Sequence, residues 1–244
     1  MTALDRVAIV TGGSGGIGRP TAERLAADGM AVVVHYSGNV ERASEVVESI
    51  SGAGGRAVAA SADIGDEHEV AALFDTAEKE FGAVDVVVNT AGIMLLSPLA
   101  ETPLESFDRM VRTNLRGTYL ACQEATRRLR KGGAIINFSS SVLGLALPTY
   151  TAYAATKGAV EAMTLILAKE LRGRDVTVNT VAPGPTATPL FLDGKSQDQI
   201  DQMASMAPLE RLGEPSDVVT LVAFLAGPAR WVNGQVLRVN GGVV

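Results

Sequence analysis

The 244-residue sequence predicts an α/β chain: a doubly wound sheet of seven parallel strands with helices on both faces, in one domain over 1–244. Three observations carry this. Short apolar runs at 7–10, 31–36, 56–60, 84–89, 134–138, 176–181 and 235–239 alternate with helix-like segments from end to end. The runs are near-continuously hydrophobic, as expected of parallel strands covered on both faces. The polar and glycine-rich motifs follow the strands, and with right-handed crossovers ligands bind at that edge.

Taken in order, strand 1 runs into TGGSGGIG (11–18), with five glycines in eight positions, and a helix-like segment follows. Glycine permits positive φ and close backbone approach, and a helix N-terminus offers unpaired N–H groups, so a phosphate fits between strand and helix. Asp28-Gly29 closes that helix, and strand 2 ends His35-Tyr36-Ser37-Gly38-Asn39. Asp63 follows strand 3 and NTAG (89–92) follows strand 4. Thr102-Pro103-Leu104-Glu105 then opens a helix with an N-cap, a proline at the first position and a capping-box glutamate. SSS (139–141) follows strand 5, and PGPTAT (183–188) follows strand 6.

Composition narrows the function. With 47% hydrophobic residues the chain can bury a sizeable core. A net charge of -6 and a pI near 5.0 argue against nucleic acid or an anionic membrane as partner, leaving small molecules. The uncharged stretch 132–156 is long enough to span a bilayer, but serines, a proline, threonines and tyrosines interrupt it, so it reads as protein interior. Cys122 is the single cysteine, which excludes an intrachain disulfide and fits a reducing, cytoplasmic setting. The N-terminus MTALDRVAIV carries no export pattern, and His35 and His68 have no ligand-like spacing, so no metal site is expected.

The glycine run satisfies both G-x-G-x-x-G and T-G-x-x-x-G-x-G, each weak alone. A dinucleotide fingerprint also expects an acid about 20 residues on. Strand 2 ends without one, which either removes the dinucleotide or admits a 2′-phosphate that a carboxylate would repel; Ser37 and Asn39 could also simply turn the chain and cap a helix. Tyr153 and Lys157 are spaced i, i+4 on one helix face. A buried ammonium beside the phenol would favour tyrosinate, and moving its pKa from about 10 toward 7 takes roughly 4 kcal/mol. The alternative is a solvated lysine beside a core tyrosine. The serines at 139–141 could polarise a carbonyl or only form a turn, and the lack of a histidine near them in the sequence argues against Ser-His-Asp hydrolysis.

Together TGGSGGIG, Asp63, NTAG, Asn114, Ser140, Tyr153-x-x-x-Lys157, Pro183-Gly184, PLERLGEP (208–215) and VNGQVLRVNGG (232–242) resemble the short-chain dehydrogenase/reductase family over the full chain, in family order and spacing. The resemblance is greatest to 3-oxoacyl-carrier-protein-reductase-like members, and it implies a Rossmann-type fold. It also implies hydride transfer between a nicotinamide cofactor and a carbonyl or alcohol. Tyr153 would be the proton donor, Lys157 would lower its pKa and hold the nicotinamide ribose, Ser140 would polarise the carbonyl, and Asn114 would secure a relay water. The implied cofactor path runs along Gly12, Ser14, Gly16, Ile17 and Gly18, then Tyr36, Ser37, Asp63 and Ile64. It continues past Asn89, Ala91 and Gly92 to Tyr153 and Lys157, and ends at Pro183, Gly184, Thr186 and Thr188.

Three positions depart from the family pattern: Thr90 in NTAG, Pro20 in the first helix, and Gly15 where many NADP-dependent relatives are basic. NADP(H) remains the preferred cofactor over NAD(H) because strand 2 lacks the acid. Met94, Leu95, Leu96, Val142, Leu143, Leu145 and segment 190–206 could form an apolar pocket for a hydrophobic ketone, with a lid over 184–209, or could be core or subunit contact. RRLRK (127–131) and LRGR (171–174) could dock an acyl-carrier protein or merely complement helix dipoles. The expected function is NADPH-dependent ketone reduction by a homotetramer. The alternatives are an NAD-dependent alcohol dehydrogenase and a catalytically silent dinucleotide-binding scaffold.

Overall fold

A computed structural model describes residues 6–244; residues 1–5, on which part of the N-terminal reading falls, lie outside the described residues. The seven strands are β1 (Val7–Thr11), β2 (Ala31–Tyr36), β3 (Arg56–Ser61), β4 (Val86–Asn89), β5 (Ala134–Phe138), β6 (Thr177–Pro183) and β7 (Val236–Val239). They pair in parallel in the order β3-β2-β1-β4-β5-β6-β7. The order reverses direction at β1, so the crevice between the loops after β1 and β4 is the expected ligand site of such a sheet.

Alternate residues of each central strand enter opposite cores. Val7 and Ile9 of β1 join Val33, Val87 and Ile135 beneath α3 (Glu67–Phe81), α5 (Gly117–Arg128) and α7 (Thr151–Glu170). Ala8 and Val10 face the other way, with Val32, Val88 and Ile136, under α1 (Gly18–Ala27), α2 (Val40–Gly52) and α10 (Pro215–Ala226). Covering both faces explains the unbroken apolar runs. Phe74 and Leu25 are fully buried, one in each core, and each such side chain contributes about 1.5–3 kcal/mol.

Local signals fare differently. The Asp28-Gly29 end is a left-handed cap: Gly29 has φ 94° and the Met30 N–H bonds the Leu25 carbonyl. The predicted cap of α4 (Leu104–Met110) is not formed. The Thr102 hydroxyl turns back to Ser97 and the Pro98 carbonyl, where it closes the short 3₁₀ turn Leu99–Glu101. Between α4 and α5 the helix widens into one π turn, Val111–Arg116, which nothing in the residue spacing announces.

Candidate active site

The loop after β1 is built from backbone. Gly12 takes φ 66°, open to glycine without strain. A Cβ on Gly18 would stand 2.1 Å from the Gly12 carbonyl oxygen and 2.7 Å from the Thr90 hydroxyl, so the start of α1 presses on the loop without side chains between. Thr90 donates to the Thr11 carbonyl, and the Ala91 N–H donates to the Thr11 hydroxyl at 3.2 Å; these bonds lock the ends of β1 and β4 together. Thr90 therefore serves the wall that its departure from the family motif put in question. A Cβ on Gly15 or Gly16 would meet nothing among the described residues within 4 Å. Among the described residues, the N–H groups of Ser14, Gly16 and Ile17 have no partner. Free N–H groups at the N-terminus of a helix favour an anion, and the side-chain-free space fits the pyrophosphate of a dinucleotide.

The other end of the cleft is built from side chains. Tyr153 and Lys157 lie one turn apart on α7 and are both buried. The ammonium donates to the Phe138 carbonyl at 2.9 Å and stands 5.7 Å from the Tyr153 ring centroid. Ser140, where β5 leaves the sheet, opposes the phenol, and its hydroxyl accepts the Val142 N–H at 3.3 Å. Tyr150 meets the Tyr153 ring edge-on at 6.3 Å. Electrostatics here correct the sequence expectation. Burial pushes the Tyr153 phenol up to about 12, with Ser140 opposing the rise, and lowers the Lys157 ammonium to about 8. In this protein alone desolvation outweighs any pull of the lysine on the phenol.

Asn114 sits in the π turn, fully buried, its amide closing both polar groups of Ile93: Oδ1 accepts the N–H at 2.8 Å and Nδ2 donates to the carbonyl at 2.9 Å. A Cβ on Gly92 would lie 3.3 Å from Asn114 Oδ1 and 3.7 Å from Lys157 Nζ. The missing side chain keeps these two polar groups on one small space. Helices frequently widen into π turns at functional sites.

A cleft of about 350 Å³ joins the two ends. Gly12, Ser14, Gly16, Ile17 and Gly18 line it, as do Ala91 and Gly92. So do Ser140, Tyr153 and Lys157, and beyond them Pro183, Gly184, Thr186 and Thr188. Six expected residues do not line it. Asn89 and Asn114 stand behind its wall, and Asn89 Oδ1 is buried without a partner among the described residues. Tyr36 packs on the core at the end of β2, Ile64 is buried, and Ser37 is exposed. The Asp63 carboxylate accepts the Gly65 N–H at 2.8 Å and pairs with Arg112 at 2.7 Å, which holds its pKa below the usual value.

Of the expected apolar residues, Met94, Val142, Leu145, Leu190 and Met203 line the cleft. Tyr150 and Arg42 line it too and were missed, since neither stands in a recognisable motif. Asn39 does cap α2, accepting the Arg42 N–H at 2.8 Å. The basic runs are largely engaged within the fold: Arg128 pairs with Asp75, Glu78 and Glu124, Arg130 with Asp85, and Arg174 donates to the Leu129 carbonyl. No helix among the described residues is long and apolar enough to cross a membrane.

Comparison with known proteins gives the same architecture a lineage. A family model described as enoyl-(acyl carrier protein) reductase matches residues 12–244. A Picea abies protein named short-chain type dehydrogenase/reductase is 49% identical, covering 98% of this chain and 92% of its own. An Arabidopsis thaliana NADPH-dependent aldehyde reductase-like protein, chloroplastic, is 44% identical over 98% of this chain and 94% of its own. The crystal structure of a Burkholderia cenocepacia short-chain dehydrogenase in complex with NADP superposes with a TM-score of 0.94 at 37% identity, covering 100% of this chain and 99% of that one. The chain thus belongs to the short-chain dehydrogenase/reductase family, a family of enzymes that use a nicotinamide dinucleotide.

Proposed function

We propose that this enzyme is an NADPH-dependent reductase that turns a hydrophobic ketone, a 3-oxoacyl or related carbonyl, into a secondary alcohol. The observation that carries it is the convergence of Ser140, Tyr153 and Lys157 in a cleft continuous with the glycine loop. The dinucleotide supplies the hydride when bound. Free N–H groups of Ser14, Gly16 and Ile17 hold its pyrophosphate, and Lys157 holds the nicotinamide ribose. Ser140 donates to the carbonyl oxygen and orients it, and the Tyr153 O–H passes its proton to the same oxygen as negative charge develops there. The space between Lys157 and Asn114 holds the relay water that returns a proton to Tyr153.

NADP over NAD is supported by the missing acid after β2 and by Arg42, which lines the cleft and carries no ion pair among the described residues. The relatives named for NADPH and solved with NADP agree. On this reading the chain is one domain and segment 184–209 closes over the substrate. Within it α8 (Pro189–Leu192) and α9 (Gln197–Ser205) bring Leu190 and Met203 to the cleft. The enzyme works as a cytoplasmic homotetramer, and apolar Leu104, Tyr119 and Ile166 left exposed on α4, α5 and α7 offer the contact surface.

The test is oxidation of NADPH and of NADH with acetoacetyl-CoA and a panel of ketones and aldehydes, for wild type and Tyr153→Phe. Turnover with NADPH that the substitution abolishes supports the whole reading. Tighter binding of NADH defeats the cofactor choice, a monomer in light scattering defeats the tetramer, and a wild type as inactive as Tyr153→Phe on every carbonyl revives the silent scaffold.

A further inference from the structure

His35 has no part in the chemistry above, yet it is the most buried ionisable group near the glycine loop, with 1% of its surface exposed. Its two ring nitrogens meet two backbone groups of fixed character. Nδ1 lies 2.9 Å from the Gly12 nitrogen and Nε2 lies 3.0 Å from the Ala62 oxygen. An amide N–H only donates and a carbonyl only accepts, so Nδ1 carries the lone pair and Nε2 the proton. Both contacts are satisfied by the neutral ring in that one tautomer. The His35 carbonyl also accepts the Gly13 N–H at 2.9 Å, so the residue grips two successive loop glycines, one by side chain and one by backbone.

We propose that His35 is a positioning residue for the dinucleotide: its neutral imidazole, clamped between the Gly12 N–H and the Ala62 carbonyl, fixes the angle at which the loop presents its unpartnered N–H groups. Protonation would turn Nδ1 into a donor facing the Gly12 donor and push the loop off its position. The loop and β1 bring no ionisable side chain against the ring. The segment after β3 brings Asp63, whose charge is shared with Arg112. Burial lowers the pKa below the usual 6.5, against the opposing pull of the Ala62 carbonyl and Asp63. The ring is therefore neutral at pH 7, and the clamp fails only in acid.

The inference rests on the loop being the dinucleotide cradle, and the experiment separates the two. NADP⁺ and NAD⁺ binding is titrated calorimetrically at about pH 5 and about pH 7.5 for wild type, His35→Asn and His35→Leu, with melting temperatures alongside. The asparagine keeps an acceptor for Gly12 and cannot take up a proton. His35→Leu leaves the Gly12 N–H buried and unbonded, for an expected loss of about tenfold in affinity at both pH values. Its Michaelis constant for the cofactor rises while turnover at saturation is kept. Wild type loses at least about fivefold more affinity on acidification than His35→Asn, and because both bind the same ligand through the same other groups, the difference isolates the imidazole. Equal pH profiles for those two proteins overturn the proposal, even if the leucine variant does not fold. So does a leucine variant that melts earlier but binds as wild type. A wild type that binds neither nucleotide at either pH overturns the cradle as well, whereas binding that ignores pH removes only the role of His35.

Discussion

The two ends of the cleft solve opposite problems with opposite materials. At the glycine loop the groups offered to a ligand are backbone: three N–H groups without a partner among the described residues, a positive φ at Gly12 and a van der Waals approach at Gly18 that admits no side chain. At the α7 end the working atoms belong to side chains buried against their own ionisation, with Tyr153 near 12 and Lys157 near 8. A backbone cradle binds without stored cost, because amide dipoles are already fixed by the sheet and helix around them. Buried titratable groups cost stability and return chemistry. Damage to the first end should therefore appear in binding, and damage to the second in turnover.

The sharpest break is Tyr153→Phe. The ring stays packed with Tyr150, but the proton donor is gone, and turnover falls by about 10²–10⁴-fold. NADP⁺ affinity measured by calorimetry stays within about twofold if Tyr153 acts at the chemical step, where binding energy is unchanged. Next in size is Gly18→Ala. Its methyl would sit 2.1 Å from the Gly12 oxygen, and a backbone atom cannot yield as a flexible side chain can. Overpacking of about 1–3 kcal/mol lands on the loop itself, so affinity drops by about 5- to 150-fold while turnover at saturating cofactor is largely retained. A variant that loses turnover and keeps affinity would erase the distinction between the two ends.

The two ends also differ in how well the sequence announces them. The glycine loop was legible because its demands are local: the positive φ at Gly12 and the close approach at Gly18 favour glycine, so the run of glycines marks the place. The strands were legible for a similar reason, and the 134–138 run matches β5 residue for residue. Strand 4 begins at Val86, later than the apolar run suggests, and the Asp85 carboxylate just before it bonds the Val7 N–H and Arg130. At the α7 end only the Tyr153–Lys157 spacing is local. The π turn that buries Asn114 depends on packing against Ile93 and Thr156, residues far off in the chain. The direction of the Tyr153 shift depends on burial, which spacing does not report. Thr102 had two partners within reach, and the one chosen was set by the 3₁₀ turn before it.

Lys157 sharpens the comparison through pH. Its folded pKa of about 8 lies below the ordinary 10.5, so between those values the unfolded chain holds the proton more tightly than the folded one. Stability therefore rises with pH across that window and is flat below it. The displacement corresponds to about 3 kcal/mol carried as a cost at pH 7, of which losing the bond to the Phe138 carbonyl would return about 1–3. Lys157→Met should then be as stable as wild type at pH 7, or more so by up to about 2 kcal/mol in denaturant titration, while losing nearly all turnover. Reduction should weaken above about pH 8 in wild type as the ammonium discharges, and a profile flat to pH 9.5 would remove the lysine from the proton path.

The smallest effect belongs to the segment that serves neither end directly. Leu190 and Met203 reach the cleft from α8 and α9, and Leu190 remains 45% exposed, so little of its surface is held by the protein alone. Truncating it should cost almost no stability, because a half-exposed side chain has little buried area to lose. What it does lose is contact with the substrate. For a hydrophobic ketone, Leu190→Ala should raise the Michaelis constant about three- to tenfold, and the rise should grow with the length of the ketone's apolar group, at about 0.8 kcal/mol for each methylene the leucine would have covered. NADP⁺ affinity and the pH profile should not move. If the effect is the same for a short and a long ketone, segment 184–209 does not grip substrate, and substrate selection lies instead with Tyr150 and Leu145, which also line the cleft.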